Sequence, residues 1–509
     1  MASLRHGFGW NTVSLLVSVA VGLLVTPFLI ATLGLPAYGV LTLATSAGGL
    51  LGRLDGGMTA AAVRYFGIAA GAADRKASAD YFVTICASMA VIASVVGAAM
   101  FVLAPQLAGV FNVTAALKPE LVYAVRITAV LLPLGLFQGV VSAVLTAHGH
   151  FRVLARSTVL SSAAYTAAVL VLVQHHHGVE SLMRIALFLQ LLTLLVTVPP
   201  ALQHLNPLRG RLLPRSEVRA LVAYSTRVQL AAVTAVINLQ ADALIVGAVL
   251  PVRYVALYGV GAKLATLLRS IPLSLAAPLV ARLTQTLGRS GPEETFREYV
   301  RVQALWAGAA GAFCAVMIGA SIFQVEAWLG PRFLVGGVVA LMLQIGNLVN
   351  LLTMPLTVYL QAIGRPELDL RYGLLGAGLN LVLTLAFIWA GVYGIAGGTA
   401  AGQVIGSIAL LWLARRAVSP DIPSFLSPVA WFAAACGAVV TAIFGAALLA
   451  LISGYGAVYL VIVSLCLIPG ACGFLLVHLG PQRAWRLAVV TVRSRSLTPM
   501  IEALSPVTS

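Results

Sequence analysis

Six charged residues sit inside apolar runs long enough to cross a bilayer: Arg53, Asp55, Arg227, Asp242, Lys263 and Arg269. A charge at mid-membrane costs about 2.5–3.5 kcal/mol on insertion scales, so such residues line a pathway or pair with one another. Four of the six are cations. A surplus of positive charge in a hydrated cavity selects an anion, and arginine's planar fork of donors suits phosphate oxygens. The plainer alternative is structural: Asp242 pairs with Lys263, while Arg227 and Arg269 reach out to water from near the membrane ends. Covalent chemistry is not expected. There is no Walker loop, no Gly-x-Ser-x-Gly and no His-Glu-x-x-His, and so no catalytic residue and no ATP or metal site. His175-His176-His177 is no exception, because three consecutive side chains cannot converge on one ion from a regular helix.

Polar side chains recur at helical spacing in the same runs. Arg227, Thr234, Asn238 and Asp242 are separated by 7, 4 and 4 residues, which places them on one face of the expected seventh helix. Asn11, Ser14 and Ser18 form a second stripe; Gln138, Ser142 and Thr146 a third; Thr353, Thr357 and Gln361 a fourth. These stripes could wall a central hydrated cavity. Ordinary interhelical hydrogen bonding is the alternative for any one of them.

The elements that carry these residues follow from hydropathy. The chain of 509 residues is 60% hydrophobic and 9% charged, with a mean hydropathy of +1.00. Such a composition excludes a soluble enzyme of this length and predicts an all-α polytopic membrane protein. About fourteen spans are expected, near 9–33, 39–68, 80–104, 121–146, 153–174, 181–203, 222–249, 255–285, 301–323, 334–361, 371–390, 392–414, 427–452 and 456–479. No cleavable signal peptide is evident in the first run. Roughly 22 of the 31 basic residues fall in alternate loops and the tail, against five in the opposite loops. By the positive-inside rule both termini are cytoplasmic, and the net charge of +16 reflects topology rather than nucleic acid binding. The arginine-rich loops also suit anionic lipid headgroups. The five cysteines lie in apolar runs and read as small hydrophobes, not disulfides or metal ligands. Residues 288–301 read as a short surface helix starting at Pro292-Glu293-Glu294. The tail from Pro481 reads either as an interfacial amphipathic helix or as a solvated basic segment.

Two motifs occur twice in the same order. Tyr38-Gly39-Val40 returns 220 residues later as Tyr258-Gly259-Val260, and Leu-x-Ala-x-Gly at Leu145–Gly149 returns 215 residues later at Leu360–Gly364. His177-Gly178-Val179 and Tyr393-Gly394-Ile395 form a third pair, 216 apart. A repeat of this length in an apolar chain predicts two six-helix lobes of like orientation, related by a pseudo-two-fold axis along the membrane normal, plus two C-terminal helices. The expected organisation is an N-lobe at 1–205, a basic linker at 206–219, a C-lobe at 220–418, two further spans at 419–479 and a basic tail at 480–509. The offsets pair Ser14 with Thr234, Ser18 with Asn238, and Gln138, Ser142 and Thr146 with Thr353, Thr357 and Gln361. The charges have no such partners: Arg53 falls on Leu273, Asp55 on Leu275, Asp242 on Gly22 and Lys263 on Leu43.

Several of these residues resemble a known pattern. Leu33-Gly34-Leu35-Pro36-Ala37-Tyr38-Gly39-Val40, Leu54-Asp55-Gly56-Gly57 and Arg64-Tyr65 resemble the start of Wzx-type polysaccharide flippases of the multidrug/oligosaccharidyl-lipid/polysaccharide (MOP) exporter superfamily. Gln240-x-Asp242-x-Leu244-Ile245-Val246-Gly247, Ile271-Pro272, Trp328-Leu329-Gly330 and Leu360-x-Ala362-x-Gly364-x-Pro366 continue the resemblance over nearly the whole chain. It implies two lobes around a central cavity in a bacterial inner-membrane protein. The implied substrate is a polyprenyl-diphosphate-linked oligosaccharide, moved from the cytoplasmic to the outer leaflet by alternating access for cell-surface polysaccharide. The implied partners are that glycan, membrane lipids, a glycan polymerase and glycosyltransferases. No cofactor is implied beyond a Na+ or H+ gradient. By position, Arg53 and Lys263, then Arg269 and Arg227, would engage the diphosphate. Asp55 and Asp242 match acidic positions that bind a coupling cation or hold the arginines. The alternatives are a lipid II flippase, a multidrug/cation antiporter of the same superfamily, and, from a different class, a membrane glycosyltransferase or polymerase. The antiporter would want an acidic cavity, and the polymerase a large outer loop that is lacking here.

Overall fold

The computed structural model describes residues 2–52, 57–72, 74–175, 178–205, 210–236, 240–273, 276–424, 428–452 and 454–479. All regular elements among them are helices. By length and composition, nine helical stretches of the described residues can cross a membrane, and shorter apolar helices lie at Ala61–Ala70, Leu370–Ala386 and Val458–Phe474. The chain is an all-α, multi-pass membrane protein. Its contacts divide it into two units, Met1–Ala256 and Leu257–Ser509.

The first unit begins with α1 (Ala2–Gly52), broken at Gly34, where φ is 74°. Only glycine adopts that backbone without strain, and Pro36 follows, so the first expected span hands over to the second here. The second span, expected unbroken over 39–68, is interrupted again. Gly57 takes a left-handed conformation with φ of 74° and opens α2 (Met58–Gly71). Next come α3 (Arg75–Val102), α4 (Ala104–Val110), α5 (Lys118–Ala147), α6 (Phe151–His175) and α7 (Val179–Leu202). Asp74 caps α3 by accepting from the Ala77 amide at 2.9 Å. Of the expected seventh span, the described parts are α8 (Arg215–Val236) and α9 (Asp242–Val249), with a π turn at 240–241 and residues 237–239 outside the description. They join this unit because α8 packs on α2 and α9 on α1. The core is Phe66, Phe82, Ile85, Val140, Leu145 and Leu221 with their neighbours, which places α2, α3, α5 and α8 around one apolar centre. The described part of the basic linker is pinned to α3: the Arg211 amide donates to Asp80 Oδ1 at 2.7 Å and the Leu213 amide to Thr84 Oγ1 at 3.0 Å.

The second unit holds α10 (Val252–Leu273), whose first turn precedes the boundary, then α11 (Ala276–Leu329), α12 (Leu334–Leu352), α13 (Met354–Ala362), α14 (Pro366–Ala386), α15 (Gly391–Ala417), α16 (Pro428–Leu451), α17 (Ala457–Ser464) and α18 (Leu467–Leu479). The surface helix expected at 288–301 is not a separate element. Gly291 breaks α11 with φ of 81°, and from Pro292 the helix runs on to Leu329. The acids read as a helix start do follow that break, and Glu298 reaches back across it to Arg282 and Thr286. The tenth span breaks at Thr353. Pro355 withholds an amide there, and side chains of α11 satisfy the freed carbonyls. Trp306 Nε1 donates to the Leu351 carbonyl at 2.8 Å and Gln303 Nε2 to that of Leu352 at 3.1 Å. The last helices pack closely: a Cβ at Gly470 of α18 would overlap Thr441 Oγ1 of α16. Large apolar side chains such as Trp389 and Leu451 point outward, as befits a chain solvated by lipid.

The repeated Leu-x-Ala-x-Gly motif closes one helix in each unit in the same way. In the first, the His150 amide donates to the Leu145 carbonyl at 2.8 Å and the Gly149 amide to that of Thr146 at 3.0 Å. In the second, Arg365 donates to Leu360 at 2.8 Å and Gly364 to Gln361 at 3.2 Å. Both are Schellman caps, and φ is 75° at Gly149 and 76° at Gly364. The other motif marks buried positions: Tyr38, Val40, Tyr258 and Val260 all lie in the core.

Candidate functional site

Arg269 lies four residues before the end of α10, beside the break that ends α12. Its Nη2 donates to Asn350 Oδ1 at 2.6 Å. Asn350 Nδ2 in turn donates to the Tyr372 hydroxyl on α14. Asn350 is held in place by its position in the last turn of α12, where its own carbonyl accepts from Thr353 Oγ1 at 2.6 Å. Arg269 Nε is closed off from the surface and has no hydrogen-bond partner among the described residues. Among the described residues, no carboxylate forms a salt bridge with it. A guanidinium carries five N–H donors, so this one keeps capacity for an oxyanion. Leaving a buried charged donor unsatisfied is costly, and an arriving acceptor would relieve that cost. An oxyanion meets Nε only when the surrounding side chains move apart.

Lys263 is half-buried on the same helix and has a partner of its own. Six residues separate it from Arg269, which puts the two about 120° apart around the axis. The structure therefore does not bring them onto one face. Asp242 opens α9, is only 2% exposed and is engaged with a neighbour. The residues that link it to the α8 positions Arg227 and Thr234 include 237–239, which lie outside the described residues. Arg227, Thr234 and Asn11 belong to α8 and α1, and their side chains are outside the described set. Arg53, Asp55 and Asn238 lie outside the described residues, as do His176, His177 and the tail from 480.

The polar stripes divide. Gln138 and Ser142 do share a face of α5: Gln138 Nε2 donates to Ser142 Oγ at 3.1 Å, and Thr197 Oγ1 of α7 donates to Gln138 Oε1 at 3.1 Å. That is interhelical bonding between α5 and α7. Thr146 is half-buried one turn further on. Thr353 and Thr357 spend their hydroxyls on the carbonyls of Asn350 and Met354, and Gln361 is exposed. Ser14 is half-buried and engaged, and Ser18 is exposed.

A cavity of about 400 Å³ opens within the first unit, lined by Thr45, Gly48, Gly52, Thr128, Leu132 and Gly135 among others. Both threonine hydroxyls bond to their own helices, to Leu41 and Ala124 carbonyls at 2.8 Å, so the walls are mainly apolar. Its glycines do two jobs. A Cβ at Gly48 would sit 2.5 Å from Thr128 Cγ2, whereas one at Gly135 would meet nothing within 4 Å.

Sequence reasoning missed Asn350 and Tyr372. Asn350 carried a usable signal, a second asparagine three residues after Asn347 inside an apolar span. It also missed a stack of three imidazoles, His148, His204 and His150, which adjacency in sequence cannot reveal. The cysteines are free; Cys314 and Cys466 are buried, while Cys472 is exposed.

Residues 66–286 match the family described as "Polysaccharide biosynthesis protein". No curated protein matches the chain. Among solved structures it is similar to an inward-facing multidrug resistance MATE family transporter of the MOP superfamily. That likeness has a TM-score of 0.68 at 14% identity and covers 81% of this chain and 96% of that one. A Vibrio cholerae MATE transporter gives 0.60 at 13% identity, with 83% and 97% covered. A MOP superfamily transporter from Pyrococcus furiosus, whose binding pocket is described as of reverse polarity, gives 0.57 at 14%, with 83% and 95% covered. The chain thus has the fold of the MOP superfamily transporters, with a polysaccharide-biosynthesis family match inside it.

Proposed function

We propose that the chain is a flippase that carries a polyprenyl-diphosphate-linked oligosaccharide across the bacterial inner membrane by alternating access, with both termini cytoplasmic. The observation behind this is Arg269, a cation held by Asn350 with a buried Nε that no group among the described residues satisfies. A diphosphate oxygen is the acceptor such a fork fits. The family match supports a role in polysaccharide assembly, and the fold supports transport without covalent chemistry. Arg53, Arg227 and Lys263 are further cations for the diphosphate. Asp55 and Asp242 are the acidic candidates for a coupling Na+ or H+. A cationic-drug antiporter fits less well, because the best-defined polar site here is itself cationic.

The test is a chromosomal Arg269→Gln variant. Surface glycan should fall to the level of a deletion strain, with lipid-linked precursor accumulating and the protein still inserted. Wild-type surface glycan would contradict the assignment.

A further inference from the structure

Gly149 reverses the chain after α5, and a histidine flanks it on each side. His148 caps the helix, its Nδ1–H donating to the Val144 carbonyl at 2.9 Å, which fixes the ring. His204 lies just beyond the end of α7. Its ring stacks on His148 with centroids 4.3 Å apart and planes 24° from parallel, and on His150 at 4.6 Å and 38°. The equivalent cap in the second unit has Ile363 and Arg365 around Gly364, so the stack is an addition to the repeated motif.

We propose that the His148–His204–His150 stack is a proton-sensitive latch tying the α5–α6 turn to the end of α7. Neutral imidazoles stack; charged ones at this spacing repel, and the nearby Arg75 adds a further positive charge. The groups around a neighbouring cavity of about 200 Å³ are Asp74, Arg75, Ser78, His148 and His204. Asp74 is the one carboxylate among the described residues there, and its Oδ1 caps α3. Ser78 Oγ is committed to the Asp74 carbonyl at 3.1 Å. At His204, burial, the two other imidazoles and Arg75 prevail over that carboxylate, and the cavity gives a displaced ring room to swing. Burial, then the neighbouring His148, His150 and Arg75, hold His204 below its ordinary 6.5, so the latch is closed at neutral pH and opens on acidification.

Amide hydrogen exchange of the full chain in lipid nanodiscs tests this. After correction for intrinsic rates, segments 146–154 and 200–205 should exchange severalfold faster at about pH 5.5 than at about pH 8. His204→Phe keeps a stacking ring without a titratable nitrogen and should remain protected at both values. His204→Asn removes the ring and should exchange fast at both. Equal protection of the wild type at the two values, or acid opening of His204→Phe like that of the wild type, would overturn the latch. If His204→Phe does not insert, His204→Tyr, whose ring also stacks and does not titrate between these values, serves in its place with the same expectations.

Discussion

Arg269 on α10 and Asn350 on α12 are joined by a 2.6 Å hydrogen bond, and that bond leaves the arginine's Nε without an acceptor among the described residues. The asparagine orients the guanidinium without neutralising it. A carboxylate in its place would have consumed the charge that an anionic substrate needs.

Arg269→Gln should therefore lower transport by roughly 10- to 100-fold, the worth of a charged hydrogen bond of about 1.5–3 kcal/mol. Arg269→Lys keeps the charge but loses the fork, and should fall in between. Tyr372→Phe removes only the hydroxyl that accepts from Asn350, and should cost less than either. Export rates normalised to the amount of inserted protein rank the three.

Gly149 and Gly364 should respond alike to Ala. Each sits near φ of 75° in a Schellman cap, so a Cβ costs about 1–2 kcal/mol at either site through backbone strain. Neither Cβ would meet another group within 4 Å. Thermal unfolding in detergent should show two losses of similar size. A loss several times larger would mean that packing, not φ, selects the glycine.

Asn380 Oδ1 accepts from both Thr384 and Thr399 at 3.0 Å, joining α14 to α15. Asn380→Ala should destabilise the second unit by about 1 kcal/mol, the usual scale of such bonds in membranes. Unchanged unfolding would show that the threonines find other acceptors.

Gly470→Val should loosen α18 from α16, because even a Cβ overlaps Thr441 Oγ1. Gly470→Val with Thr441→Ala should recover part of the loss. Proteolysis of the C-terminal helices in membranes reads both.

Stability should also depend on pH through His204. Its proton is bound more weakly when folded than when unfolded, so the unfolded chain holds more protons between the two pKa values. The stabilisation is complete above about 6.5 and is lost as pH falls through the depressed folded value. His204→Phe should flatten that slope in a series of melting curves; a slope equal to that of wild type would assign the effect to other groups.

What the sequence made legible was whatever local chemistry controls. Hydropathy gives the helices, and the repeat gives two matching caps because only glycine tolerates φ near 75°. The breaks were harder. Spans two and ten look continuous in hydropathy, yet Gly57 and Thr353 with Pro355 interrupt them. A break shifts the face presented by later residues, so hydropathy alone does not carry a polar stripe across one. Arg269 was visible as a charge in an apolar run. Its partners on α12 and α14 were not, since 81 residues separate Arg269 from Asn350 and only tertiary packing brings them together.

The most direct test of the central claim is reconstitution. Purified wild type and Arg269→Gln would be placed in proteoliposomes with a fluorescent polyprenyl-diphosphate oligosaccharide, and its arrival in the opposite leaflet followed by quencher accessibility. The wild type should move the diphosphate-linked glycan faster than protein-free vesicles, and Arg269→Gln should fall close to that background. Equal flipping by the two proteins, or movement of a phosphate-free prenyl glycan as fast as the diphosphate, would contradict recognition of the diphosphate by Arg269.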